Sequence, residues 1–328
     1  MRNKKQPKVA VLMPSYNVAK YIDKCMQSVL KQSLKDIEII CVDAGSEDGT
    51  IEKLKGYVKE DSRIHLYLSS KKSYGAQLNQ ALNNSTAEYI AIVETDDFID
   101  EKMLETLYKL TKISYIDIVK SSFYHYDDSD VDNIIIRRDN AKNMIHEGEI
   151  FTLDDEALFI EGHPSIWSAI YKKDFLEKNN ITFLEERGGS WVDNLFFIET
   201  AIKANTIIYT NESYYYYRET NPESSTKKLE ASHIPVHRIL DIFEILEEND
   251  VENPEIYERI YHRLFRYVEI ILENNDFNHL NLDYTTTNMI FTALNKVDES
   301  FVKRELESGY KKIYYKYSSP LILKRFQH

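Results

Sequence analysis

The sequence is short of several things that would place it in a large class at once. Its 328 residues hold two cysteines, Cys25 and Cys41, in apolar contexts and at no metal-ligand spacing. That argues against a disulfide framework, fits a reducing compartment and leaves both as core thiols. Positive charge is in deficit, 41 Lys and Arg against 54 Asp and Glu for a net charge of −13, so the balance is wrong for nucleic acid. Any anionic ligand must therefore be met by local cations or a metal. No stretch approaches the roughly 18 apolar residues of a membrane span. The N-terminus has basic residues before an apolar run, but Val9 to Met13 is too short for a signal peptide and stops at a proline, which predicts a strand and a cytoplasmic protein. Neither G-x-G-x-x-G nor G-x-x-x-x-G-K-[ST] occurs at a strand-to-helix turn, so dinucleotide dehydrogenase and P-loop readings lose their main support. No internal repeat or low-complexity segment is visible.

What the chain does have is alternation. Short β-branched runs, VAVLM (9–13), IEIICV (37–42), IHLYL (64–68) and YIAIV (89–93), are separated by stretches with apolar residues at three-to-four spacing. Tyr21/Ile22, Cys25/Met26 and Val29/Leu30 mark the first helix, and Ile51, Leu54 and Val58 the second. This predicts an α/β fold with a mostly parallel sheet flanked by helices, whose ligands bind beyond the carboxyl ends of the strands. Another strand, IDIVK (116–120), precedes an aspartate-rich turn at 127–132, and a helix follows Val192. From about Ser232 the pattern is purely helical. The expected organisation is a catalytic domain over 1–220, with halves 8–110 and 111–220, and a helical extension over 221–328.

Three expected strand ends carry polar clusters: PSYN (14–17), DAGSEDGT (43–50) and ETDD (94–97). Carboxylates at a strand end suit a hard cation such as Mg2+ or Mn2+, although acids there also serve as caps for a following helix. Asp43 can accept a hydrogen bond from a base N–H, while Gly45 and Gly49 allow a tight turn, and Ser46, Asp48 and Thr50 suit an N-cap equally well.

Together, PSYN, VDAGSEDGT, the KKSYG stretch with Asn79 (71–79) and YIAIVETDD resemble the nucleotide-binding half of glycosyltransferase family two, closely over 8–110 and more loosely over 160–218. The resemblance implies a GT-A fold, Rossmann-like, and inverting transfer of a sugar from a nucleotide-diphosphate donor, with a UDP-sugar as the best guess, aided by Mn2+ or Mg2+. Pro14, Ser15 and Tyr16 match the segment along the nucleoside. Asp43 matches the acid that holds the base, and the second aspartate usual beside it is Ala44 here. In Glu94-Thr95-Asp96-Asp97, Asp96 aligns with the metal-binding aspartate. Glu94 replaces the one that faces ribose or metal, Thr95 is counted with the nucleotide contacts, and Asp97 suits a structural role. Lys72 sits where the family often places a cation near the diphosphate, although paired lysines also suit an ordinary surface.

The segment GGSWVDNLFF (188–197) resembles the family's Glu-Asp motif with Val192 for glutamate, which makes Asp193 the expected base for the acceptor hydroxyl; the bland reading is a helix cap. His163, Trp167 and Trp191 are acceptor-side candidates, with core packing the alternative for a lone tryptophan. The run YYYYR (214–218) reads as a strand with Arg218 near phosphate. The expected acceptor is a growing glycan or lipid-linked glycan of cell-surface polysaccharide. The tail YKKIYYKYSSPLILKRFQH mixes cations and aromatics, which suits either a packed helix or peripheral contact with an anionic membrane. Rival readings are a sugar nucleotidyltransferase, whose glycine-rich loop is missing from PSYNVAKY, and a non-catalytic binding or assembly protein suggested by Ala44, Glu94 and Val192.

Overall fold

The computed structural model describes residues 6–130, 132–139, 147–188, 191–222, 231, 233–277 and 281–326. Two compact units divide the chain: Met1–Glu156 with Pro164–Ser224, and Ala157–His163 with Ser225–His328.

The first unit opens with β1 (Val9–Ser15), α1 (Ile22–Leu30), β2 (Ile37–Asp43), α2 (Thr50–Glu60), β3 (Ile64–Leu68), α3 (Tyr74–Asn84) and β4 (Tyr89–Ile92). β1, β2 and β4 are buried along their whole length, as strands covered on both faces must be. Then come β5 (Phe98–Ile99), α4 (Met103–Leu110), β6 (Ile118–Asp127), β7 (Ile135–Arg138), β8 (Ile150–Phe151), β9 (Ala169–Lys172), α5 (Lys173–Lys178), α6 (Val192–Lys203) and β10 (Ile207–Arg218). The main sheet runs β3-β2-β1-β4-β9-β6-β10-β5, with β7 added on β6 and β8 on β10.

The sheet is less parallel than expected. β3, β2, β1 and β4 are mutually parallel, but β9 enters antiparallel between β4 and β6, and β5 closes antiparallel on β10. Both antiparallel members are short, four residues in β9 and two in β5, and neither is delivered by an α-helical crossover as β2, β3 and β4 are. After β1 the chain builds outward through β2 and β3, then comes back to place β4 on the other flank of β1. Such a reversal of strand order is where α/β sheets generally bind ligands. Register aligns the strand ends there: Ser15 pairs with Asp43 and Leu12 with Ile92, so the ends of β1, β2 and β4 share one edge.

The second unit contains α7 (Ile234–Glu248), α8 (Pro254–Glu273), α9 (Tyr284–Leu294), α10 (Glu299–Arg304) and α11 (Ser308–Tyr317), then a 3-10 turn at Pro320–Phe326. Its starts are well signalled: Asn253, Asp283 and Asp298 cap α8, α9 and α10, with Pro254 opening α8. Ile239, Ile242, Phe243 and Leu246 of α7 and Leu264, Phe265, Val268 and Ile271 of α8 are buried at helical spacing. Arg263 donates to the carbonyls of Ile160 and Gly162, tying the 157–163 segment to α8. The tail packs within this unit, Tyr310 donating to Glu269 and Phe326 standing edge-on to Tyr284. No helix among the described residues is long and apolar enough to cross a membrane.

Candidate active site

Two loops are stitched together at the ends of β1 and β2. Asn17, in the left-handed region at φ 53°, takes the Ser46 hydroxyl on its N–H and accepts from Glu47 N. Thr50 and Asp48 accept from Val18 N and Ala19 N. Gly45 at φ 83° and Gly49 at φ 98° make the turn; Gly49, not Thr50, occupies the N-cap of α2.

Asp43 lies inside this knot, fully buried. Its Oδ1 accepts from Gly45 N at 2.9 Å and Ser46 N at 2.7 Å, and its Oδ2 from Ser15 Oγ at 2.8 Å and Ser46 Oγ at 2.6 Å. A carboxylate has about four lone-pair directions, and all four are met from within the chain here. In this structure Asp43 organises the loop. Ser15 is held with it. Pro14 and Thr95 are likewise internal, the Thr95 hydroxyl donating to the Pro14 carbonyl at 2.8 Å and pinning the end of β4 to β1. Of the PSYN segment it is Tyr16, 44% exposed, that presents a ring, and Lys72 Nζ lies over that ring and bonds its hydroxyl at 2.9 Å.

Within ETDD the four side chains divide. Asp97 is buried and accepts from Tyr215 Oη at 2.8 Å and Arg218 N at 2.7 Å. Burial first, and the charge of Asp96 next, push its pKa well above the usual range. Glu94 takes the Tyr74 hydroxyl. Burial pushes the Glu94 carboxyl up to about 8, against the Tyr74 bond and with the help of charges on Asp96 and Asp193. Asp96 is half-exposed, and its Oδ2 accepts from Asn221 Nδ2 at 2.7 Å. Arg218 lies beneath it: the buried guanidinium donates to the Asp96 carbonyl, pairs with Asp128 and rests over the Tyr21 and Tyr126 rings. So Arg218 braces the acidic turn from behind instead of facing phosphate.

Among the described residues no group of three or more His, Cys, Asp or Glu could hold a metal ion. Asp96 supplies one carboxylate at an open edge. This fits a hard cation that completes its shell with ligand phosphates and water, as Mg2+ commonly does, and does not fit an all-protein cage.

Asp193 sits in the first turn of α6, after Trp191 at φ 65°, and accepts from Asn194 Nδ2 at 3.1 Å. Its charge reaches Glu94, Tyr74 and Lys120, which brings the expected base into the neighbourhood of the acidic turn. Lys120 is buried, donating to Pro164 O, to Ser165 O and Oγ, and to Ser168 Oγ; burial pushes its pKa down to about 7. It holds the Ser165 turn, itself at φ 33°. Trp191 is half-exposed at the helix start. Trp167, at 4% exposure, takes the core reading: it is stacked on Tyr215 at 4.1 Å and Tyr217 at 5.4 Å and met edge-on by Phe123. His163 is exposed but belongs to the second unit, not to the unit that carries these groups.

Tyr74, Asn221 and Lys120 escaped the sequence reading. Tyr74 stood inside the KKSYG motif and could have been flagged, whereas nothing in the local pattern singles out Asn221 or Lys120.

Comparison with known proteins adds the following. The family model for glycosyl transferase family 2 matches residues 10–178. Glycosyltransferase GlyG of Streptococcus pneumoniae serotype 4 is 37% identical over 123 residues, 37% of this chain and 41% of GlyG. The uncharacterized glycosyltransferase EpsJ of Bacillus subtilis is 28% identical over 221 residues, 67% of this chain and 63% of EpsJ. The chain thus spans less than two thirds of either relative. Among solved structures, S. aureus TarS 1-349 in complex with UDP-GlcNAc has the same fold, at a TM-score of 0.71 and 20% identity over 90% of this chain and 83% of that one.

Proposed function

Since the chain belongs to glycosyl transferase family 2, we propose that it transfers a sugar from a nucleotide-diphosphate donor, foremost a UDP-sugar, to a hydroxyl of a growing glycan, with inversion at the anomeric carbon. What supports this reading is that a half-exposed carboxylate, Asp96, the Tyr16–Lys72 pair and the α6 carboxylate Asp193 all belong to the first unit, Tyr16 just beyond β1 and Asp96 just beyond β4. The names of GlyG and EpsJ support the reaction class, and the UDP-GlcNAc of TarS supports the donor class.

In this reading Tyr16 offers its ring to the base and Lys72 its ammonium to the diphosphate. Asp96 would hold a divalent cation, Mn2+ or Mg2+, together with diphosphate oxygens, and that ion supplies neutralisation of the leaving charge. Glu94, joined to Tyr74, borders ribose or sugar. Asp193 accepts the proton of the acceptor hydroxyl as its oxygen attacks the anomeric carbon and the bond to the diphosphate breaks. A lipid-linked acceptor would bring the protein to a membrane surface, where exposed Lys312, Tyr315, Lys316 and Leu321 of the tail have suitable chemistry.

The test is release of nucleoside diphosphate from candidate donors with Mn2+ and glycan acceptors. Asp96→Ala and Asp193→Asn should each lose on the order of 10²-fold or more of transfer rate. Wild-type turnover in both variants would sink the two roles.

A further inference from the structure

The 71–79 motif gives Lys72 to the site, but its last residue, Asn79, has no part in the chemistry above. Asn79 instead holds both backbone groups of one residue across the unit. Its Nδ2 donates to Phe183 O at 2.8 Å and its Oδ1 accepts from Phe183 N at 2.9 Å, so a single side chain fixes that peptide in place and in orientation. The same Nδ2 reaches Glu185 Oε1 at 3.1 Å, and Glu185 pairs with Lys71.

The clamp is close as well as polar. A Cβ on Gly75, four residues before Asn79 on α3, would fall 2.0 Å from Leu184 O, so the helix start and the 183–184 backbone touch. Farther along, Tyr74 N donates to Gly188 O at 2.8 Å and Gly188 N to Lys72 O at 3.0 Å. Phe183 then passes the position on: its ring stacks on Phe196 of α6, centroids 4.1 Å apart and planes 14° from parallel. Phe196 lies three residues beyond Asp193, one turn on and on the same side of the helix. The far side of Phe196 is fixed edge-on by Tyr171 at 5.1 Å.

We propose that Asn79 is a positioning residue for Asp193: through the Phe183 peptide and the Phe183–Phe196 stack it sets the placement of α6, and so ties the base to the loop that carries Lys72. This rests on the role proposed for Asp193. Displacement of a reacting group by about 1 Å can cost on the order of 10²-fold in rate, so a loosened clamp acts on turnover before it acts on donor binding.

The experiment uses the full chain and three variants: Asn79→Ala, which removes both bonds; Asn79→Asp, which keeps an acceptor for Phe183 N and loses the donor; and Phe183→Leu, which keeps the clamp and removes the stack. Transfer kcat is measured alongside the Kd for nucleoside diphosphate with Mn2+. Expected is a kcat loss of about tenfold or more in Asn79→Ala and Phe183→Leu, a loss at least as large in Asn79→Asp, whose carboxylate would face Phe183 O and Glu185, and a Kd within about threefold of wild type throughout. The double variant Asn79→Ala/Phe183→Leu should lose little more than either single one, since both cut the same link. Normal kcat in folded Asn79→Ala, or equal losses in kcat and donor affinity, overturns the inference; should Asn79→Ala fail to fold, Asn79→Asp and Phe183→Leu decide on the same criteria. Asp193→Asn is the control. If it transfers sugar normally, the underlying base assignment fails; if it is inactive while the clamp variants turn over normally, only the positioning inference fails.

Discussion

Asp43 and Trp167 show what a single residue's surroundings do to its meaning. Both are residue types that bind ligands, and both are turned inward here, Asp43 onto four internal donors and Trp167 into a stack of tyrosines. Spacing places Asp43 at a strand end, but which way a terminal side chain turns depends on the next loop, and the Gly45 turn brings two N–H groups to it. Asp43→Ala should strand those N–H groups and two hydroxyls, at a cost of about 2 kcal/mol or more. A urea midpoint that does not move, together with lost nucleotide binding, would restore the direct base contact. Trp167→Ala should cost roughly 3–5 kcal/mol by leaving a cavity against Tyr215 and Tyr217 of β10 and Phe123 of β6. Weakened acceptor binding at unchanged stability would contradict its place in the core.

At the scale of elements, the first third of the chain was legible because buried parallel strands announce themselves as continuous β-branched runs. Expected strands at 9–13, 37–42, 64–68 and 89–93 correspond to β1 to β4 within two residues at their ends. The second half was harder. β6 runs on to Asp127, into a stretch that reads as a turn, because Asp128 beyond it pairs with Arg218 and Thr220, residues some ninety positions away. The same strand ends carry a titration that no local pattern betrays. His125 of β6 has Nδ1 at 2.9 Å from Glu219 and Nε2 at 3.2 Å from Asp139, so both ring nitrogens face carboxylates, and Arg137 of β7 shares Glu219. The Asp139 bond first, opposed by burial and aided by Glu219, raises its pKa. A folded pKa above the unfolded value, about 6.5, means that the stabilisation is fully present below 6.5 and is lost as pH rises through the raised value. Wild type should therefore lead His125→Gln in denaturant midpoint most at pH 5.5 and least at pH 9. A gap that is constant with pH would show that the pair of contacts carries no proton.

For the molecule as a whole, the sequence showed which strand ends share one edge but not how the acidic surplus is handled. The chain carries −13 and the proposed donor adds a diphosphate, so its affinity would have to come from local neutralisation. Lys72, Asp96 and Tyr16 all belong to the first unit, and so the stabilisation that a bound nucleotide brings should be felt there. A ligand that binds only the folded state stabilises by about 2.7 kcal/mol at a hundredfold excess over its Kd. With two compact units, unfolding need not be one transition, and a calorimetric scan should be read transition by transition. UDP with Mn2+ is expected to raise the transition of the first unit; UDP alone should raise it far less, because the diphosphate then meets the acidic turn without its cation. Asp96→Ala should erase the difference between the two conditions and leave any UDP-only shift in place, since Tyr16 and Lys72 remain. A shift that is the same with and without Mn2+ in wild type would detach the metal from Asp96 and leave Lys72 as the principal partner of the diphosphate.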